Sequence, residues 1–177
     1  MSLSVEILSE TFERAKKENG GPTKLGLRFY ERLFEKYPQV RPLFHTPPEE
    51  QHKKLLASIA SIVAALKYPD RLMPFLHAMG IRHVAYGTLS PHYAAVGENL
   101  IAVLKEHLSA EGQWTEEMEN AWKDALSVVA EVMIDAADHA DQYAEELKNA
   151  GYLSSGFRPD TNTPWVLDEK QPDTVAS

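Results

Sequence analysis

The chain has 177 residues, no cysteine and a formal net charge of −8, from 18 Lys plus Arg against 26 Asp plus Glu. That length suits one domain with a full hydrophobic core, and the acidic balance excludes a nucleic-acid binder, which needs clustered Lys and Arg. The lack of cysteine excludes disulfide frameworks, thiolate nucleophiles, Cys-ligated zinc and thioether-attached haem.

Glycine and proline divide the chain into segments rich in Ala, Leu, Glu and Lys, long enough for helix and poor in strand formers, so an all-α fold is expected. A first helix runs from about Ser4 to Lys17, with Leu8, Phe12 and Ala15 on one side, and Gly20-Gly21 stops it. Pro22 opens a second helix to about Lys36 with a Leu25, Phe29, Leu33 stripe, and Pro38 then forces a short turn to Phe44. Glu49 to Lys67 repeats Gln51, Leu55, Ile59, Ile62 and Leu66 at helical spacing. Arg71 to about Tyr86 is helical but open to a break at Pro74, and Gly87 ends it. Ser90-Pro91 starts a fifth helix carrying Tyr93, Val96, Leu100, Val103 and Leu104. Thr115 caps the longest run, in which Trp122, Leu126, Val129, Met133, Ala136, Ala140, Tyr143 and Leu147 keep the helical interval. Beyond Gly151 the composition turns to Ser, Thr, Pro and Asp, too few aliphatics for much core. Residues 1–150 thus read as one domain and 151–177 as a polar tail, partly docked or disordered, with Phe157, Trp165, Val166 and Leu167 as possible anchors.

The first ten residues have no basic start followed by an apolar run, and no window nears the roughly 18 uninterrupted apolar residues a membrane span needs. A cytoplasmic chain without membrane or nucleic-acid partners is expected. Seven histidines invite a metal reading, but Glu-x-x-His occurs only once, at Glu49 to His52, where a di-iron bundle needs it twice. No His-Glu-x-x-His, phosphate loop or Gly-x-Ser-x-Gly elbow is present.

What remains is a joint pattern: Phe29-Tyr30-Glu31-Arg32-Leu33-Phe34 with Tyr37-Pro38, Arg41-Pro42-Leu43-Phe44, Gln51 with Leu55, Arg82-His83-Val84-Ala85-Tyr86-Gly87, and Pro91-His92-Tyr93 with Val96-Gly97. In order and spacing these runs, over about residues 4–148, resemble bacterial globins of the flavohaemoglobin type and single-domain bacterial haemoglobins. The resemblance implies a three-over-three globin sandwich around a noncovalent b-type haem (iron protoporphyrin IX). It assigns His83 as the proximal iron ligand, with His77, six residues earlier, as competitor. Phe44 packs on the haem face, and Leu55, Val96 and Leu100 line the pocket. Arg82 is a candidate partner of a haem propionate, against the alternative of a solvated arginine.

On the distal side the resemblance places Tyr30 and Gln51 as hydrogen-bond donors to a bound diatomic gas. Each net bond is worth roughly 1 kcal/mol, more when the acceptor is charged, so two donors slow dioxygen release about tenfold to several hundredfold. His52, beside Gln51, stays open as a second iron ligand reached by a one-residue shift. On the proximal side Tyr93 matches the tyrosine that relatives pair with a glutamate. The position of that glutamate falls on His139, with Asp138 adjacent as the alternative acceptor.

The functions implied are reversible binding of dioxygen, carbon monoxide and nitric oxide, and nitric oxide dioxygenation, with Tyr30, Gln51 and Tyr93 as its catalytic residues. The relatives continue into flavin and nicotinamide domains where this chain has its tail, so an external electron-donating reductase is expected as partner. A haem-based gas or redox sensor acting through a partner protein, and a helical bundle without cofactor, are the competing classes.

Overall fold

The computed structural model describes residues 4–17, 20–109 and 112–159. Among them regular structure is entirely helical: α1 (Val5–Lys17), α2 (Gly21–Lys36), a 3-10 turn (Pro38–Leu43), α3 (Pro48–Ala65), α4 (Pro69–Ala85), α5 (Ser90–Ser109), α6 (Glu116–Asp138), a second 3-10 turn (Ala140–Tyr143) and α7 (Ala144–Asn149). Proline opens α2, the first 3-10 turn, α3 and α4 at their first or second position, where a missing N–H costs nothing. Thr115 caps α6 by accepting the Met118 N–H at 3.2 Å.

Two differences from the sequence expectation matter for the site. First, α4 is continuous through Pro74. Pro74 sits in the second turn, so the hydrogen bond it removes belongs to the carbonyl of exposed Asp70, which water can satisfy. Second, the long C-terminal helix is broken. α6 ends at Asp138, His139 takes φ −128° and ψ 40°, and the chain re-forms as a 3-10 turn and then α7. The His139 ring bonds back to both the carbonyl and the carboxylate of Asp135, at 3.1 and 3.0 Å, and stabilises that end. The periodic Tyr143 and Leu147 therefore turn toward α4 instead of continuing along the α6 axis.

The helices pack in the two layers of a three-over-three sandwich, α2, α5 and α6 beneath α1, α3 and α4, with crossings α2–α3, α1–α6 and α4–α6 between layers. Leu25, Phe29 and Leu33 of α2 bury against Leu100, Val103 and Leu104 of α5 and Trp122 of α6. Each such side chain contributes about 1.5–3 kcal/mol on burial. A second cluster joins Leu72, Phe75, Leu76 and Met79 of α4 to Met133 of α6. Here Gly80 brings the two backbones together: a Cβ at this position would lie 2.2 Å from the Met133 carbonyl oxygen. A third cluster, Ala78, Ile81, Ala136, Leu147 and Tyr152, covers the outer side of α4 with α7 and the residue after Gly151.

Candidate functional site

α4 presents His83 in its last turn. Its Nδ1 lies 2.6 Å from the Met79 carbonyl, the i−4 oxygen of the same helix, so Nδ1–H is the donor and Nε2 carries the lone pair. The ring sits between two tyrosines, Tyr86 at 5.4 Å and Tyr93 at 6.1 Å between centroids. Burial pushes the His83 pKa down to about 4, against the weaker opposing pull of the Met79 carbonyl, and keeps the imidazole neutral near pH 7. A neutral imidazole with one nitrogen fixed by a backbone acceptor is the state a metal requires of a histidine ligand.

His77 is turned elsewhere. Six residues of helix rotate it about 120° from His83, and its Nδ1 meets Glu146 of α7 at 2.6 Å while its ring lies on Tyr143. Arg82 is likewise removed from the role suggested by the resemblance. It is neither solvated nor set beside His83 on the same face: it is buried and donates from Nη1 to the Gly156 carbonyl at 3.1 Å.

Asp138 and His139 divide as helix geometry dictates. The Asp138 charge is close enough to Tyr93 to help raise its phenol to about 12, behind the larger effect of burial. His139, expected at the position of the relatives' glutamate, is exposed and its ring is paired with Asp135 instead of Tyr93, whereas Asp138 is the neighbour whose charge acts on Tyr93. The end of α6 unwinds at residue 139, and that turns the imidazole away. A cavity of about 230 Å³ lined by Val84, Leu89, Tyr93, Ile134 and Asp138 among others lies beside the α4–α5 turn. Val84 and Leu89 expose their apolar side chains there.

The distal group is built on α2 and α3. Tyr30 is buried and touches the rings of Phe29, Phe34 and Phe44 at 5.0, 5.7 and 5.4 Å. Gln51 Nε2 donates to the Tyr30 hydroxyl oxygen at 3.2 Å, which leaves the phenol proton for another acceptor. Desolvation raises the Tyr30 pKa to about 12, so it remains a donor at physiological pH. His52 stacks on the Tyr30 ring at 5.1 Å, its Cβ packed over Gly26 of α2. Asn99 of α5 donates to the Phe29 carbonyl at 2.8 Å and fixes α2 beside Tyr30. Leu55 and Val96 are half-buried at the edge of the core, and Leu100 is fully inside it.

Residues 27–133 match the family described as Globin. This chain belongs to the globin family. A flavohemoprotein of Bacillus thuringiensis subsp. konkukian is 27% identical over 177 residues, covering 98% of this chain and 41% of that protein. Flavohemoprotein A of Dictyostelium discoideum is 32% identical over 123 residues, covering 67% of this chain and 30% of that protein. This globin thus spans less than half the length of these curated relatives. A bacterial globin from Campylobacter jejuni matches with a TM-score of 0.65 at 25% identity, over 78% of this chain and 96% of that one. Family membership with flavohemoprotein relatives supports haem-based gas binding.

The donor set fits a haem. Among the described residues no three His, Asp or Glu side chains converge on a metal site, so a metal at His83 would arrive in a prosthetic group supplying its other ligands. The exposed apolar Val84 and Leu89, which share a cavity wall with Tyr93, suit a macrocycle more than a hydrated ion. Sequence reasoning has Tyr86 only as part of the run around His83 and assigns neither it nor Leu89 a place in the site; their signal is a position three and six residues after His83. No helix among the described residues is long and apolar enough to cross a membrane.

Proposed function

We propose that this globin binds one noncovalent b-type haem through His83 Nε2, takes up dioxygen, carbon monoxide and nitric oxide reversibly, and combines nitric oxide with dioxygen to give nitrate. The observation that carries this is the neutral His83 with Nδ1 committed to the Met79 carbonyl. Bound haem supplies the iron at which a diatomic ligand coordinates and electron transfer occurs.

The chain's own residues set what that centre does. Tyr30, already accepting from Gln51, keeps its own proton free and would donate it to a polar diatomic ligand, with Gln51 polarising the phenol. The surrounding Phe29, Phe34 and Phe44 keep water away and strengthen that bond. Behind the proximal ring, Tyr93 and Asp138 hold an electron-rich environment for the imidazole. Nitrate formation from nitric oxide and dioxygen consumes an electron per turnover, and an external electron-donating reductase in the cytoplasm is the proposed source. The longer flavohemoprotein relatives support that pairing of haem with electron supply.

The test is absorption spectroscopy of the purified chain in ferric, dithionite-reduced and carbon monoxide states beside His83→Ala. A Soret band that moves on reduction and on carbon monoxide addition, and that loses its histidine-ligated form in the variant, supports the reading. Absence of haem uptake after reconstitution overturns it. Catalysed nitric oxide loss with a supplied reductase is the further result expected of the enzyme. A sensor reading draws on one specific observation, the C-terminal turn lying on Arg82 next to His83; ligand-dependent binding of a partner without nitric oxide turnover would favour it.

A further inference from the structure

α4 is held on its outer side by a turn near the C-terminus of the described chain. Leu153 N–H donates to the Phe157 carbonyl at 2.7 Å and Gly156 N–H to the Leu153 carbonyl at 2.9 Å, closing a tight loop. Gly156 adopts φ +82°, and a Cβ there would stand 2.2 Å from the Ala78 carbonyl oxygen and 2.9 Å from the Arg82 nitrogen. Only glycine meets both demands, so the loop backbone lies directly on α4. The Gly156 carbonyl takes the hydrogen bond from buried Arg82. The Arg82 guanidinium in turn lies over the Phe157 ring, 5.9 Å from its centroid.

The next contact leads to the ligand. Phe157 meets Tyr86 edge to face at 6.0 Å, and Tyr86 meets His83 at 5.4 Å. One ring therefore connects the turn to the imidazole, while Arg82, the neighbour of His83 in sequence, connects it to the helix backbone. We infer that the 153–157 turn, through Gly156 on Arg82 and Phe157 on Tyr86, positions the His83 imidazole and so tunes its bond to haem iron. This rests on the reading of His83 as the proximal ligand. Gly156 and Phe157 are positioning residues, because neither touches His83 itself.

The alternative is a turn that adds only stability, and iron–histidine vibration separates the two. The full-length protein is compared with Phe157→Ala, Phe157→Tyr, Gly156→Ala and Leu108→Ala, the last removing a buried side chain from the core cluster that contains no α4 residue. Three quantities are read: the iron–histidine stretching band of the ferrous unliganded protein by resonance Raman, the rate of haem transfer to excess apomyoglobin, and the melting temperature. Phe157→Ala and Gly156→Ala should shift the band and speed haem loss by about twofold to tenfold, the range expected for one aromatic contact. Phe157→Tyr, which keeps the ring, should restore the wild-type band. Leu108→Ala should melt earlier with the band unmoved. A Phe157→Ala band identical to wild type overturns the inference, even if the variant melts early. Should Gly156→Ala fail to fold, the half-buried Phe157 series decides alone. Failure of the wild type to take up haem would instead remove the function proposed above, a result the spectra report before any variant is made.

Discussion

The Gln51 carboxamide donates to the Tyr30 hydroxyl across 3.2 Å, joining α3 to α2 beside the rings of Phe29, Phe34 and Phe44. Because Gln51 is the donor, Tyr30 is the group left to donate outward. Tyr30→Phe should therefore speed dioxygen release about tenfold, the equivalent of one hydrogen bond of roughly 1.4 kcal/mol to a polar acceptor. Gln51→Leu should have a smaller effect, because it acts through Tyr30. Stopped-flow displacement of dioxygen by carbon monoxide measures both, and equal rates for Tyr30→Phe and wild type would remove Tyr30 from the distal role.

His52 is occupied by its stack on the same tyrosine and by its packing over Gly26. The ferrous, ligand-free protein should be five-coordinate, and His52→Ala should leave its visible spectrum unchanged. A six-coordinate spectrum that reverts in His52→Ala would show that the ring leaves its stack to reach iron.

Alkaline pH should act through Tyr30 with a defined sign. Its folded pKa, about 12, stands above the ordinary value of 10.0 because burial disfavours the phenolate. The unfolded chain therefore loses this proton first, and the associated stability is intact below pH 10 and lost between about pH 10 and 12. The full loss amounts to about 2–3 kcal/mol for a shift of this size. Urea unfolding between pH 9 and 12 should show Tyr30→Phe losing less stability than wild type; parallel curves would place the phenol in water.

Asp138 and the two histidines His139 and His77 make different predictions. Asp138→Asn should lower the Tyr93 pKa and shift the iron–histidine band, because the Asp138 charge acts on Tyr93. His139→Ala should change neither, its ring being bonded to Asp135. His77→Ala should keep haem and its spectrum but lose about 1 kcal/mol of stability, since it removes a buried imidazole from its contact with a Glu146 that water can still reach. Resonance Raman and thermal melting on the three variants check this set.

Much of this was legible in the sequence. Proline and glycine mark helix boundaries through fixed φ and absent N–H groups, so α1 to α5 lie close to where Pro22, Pro38, Pro48 and Gly87 require. Tyr30 and Gln51, expected side by side although they stand on different helices, do meet at 3.2 Å. The break at His139 was not legible: Ala136, Ala140, Tyr143 and Leu147 keep the helical interval on both sides of it, and periodicity records spacing without axis direction. Nor was the docking of Gly156 on Arg82, a backbone carbonyl meeting a side chain 74 residues away in sequence. Composition marked that segment as poor in core residues, yet glycine's lack of a side chain is what lets it seat.

Gly80 and Gly156 hold α4 between two backbone contacts that no larger residue would permit. A Cβ at Gly80 would lie 2.2 Å from the Met133 carbonyl oxygen, and one at Gly156 2.2 Å from the Ala78 carbonyl oxygen. Any side chain added at either position must displace main chain, so these two hydrogens set the thickness of the layer in which His83 sits, between α6 on one side and the 153–157 loop on the other.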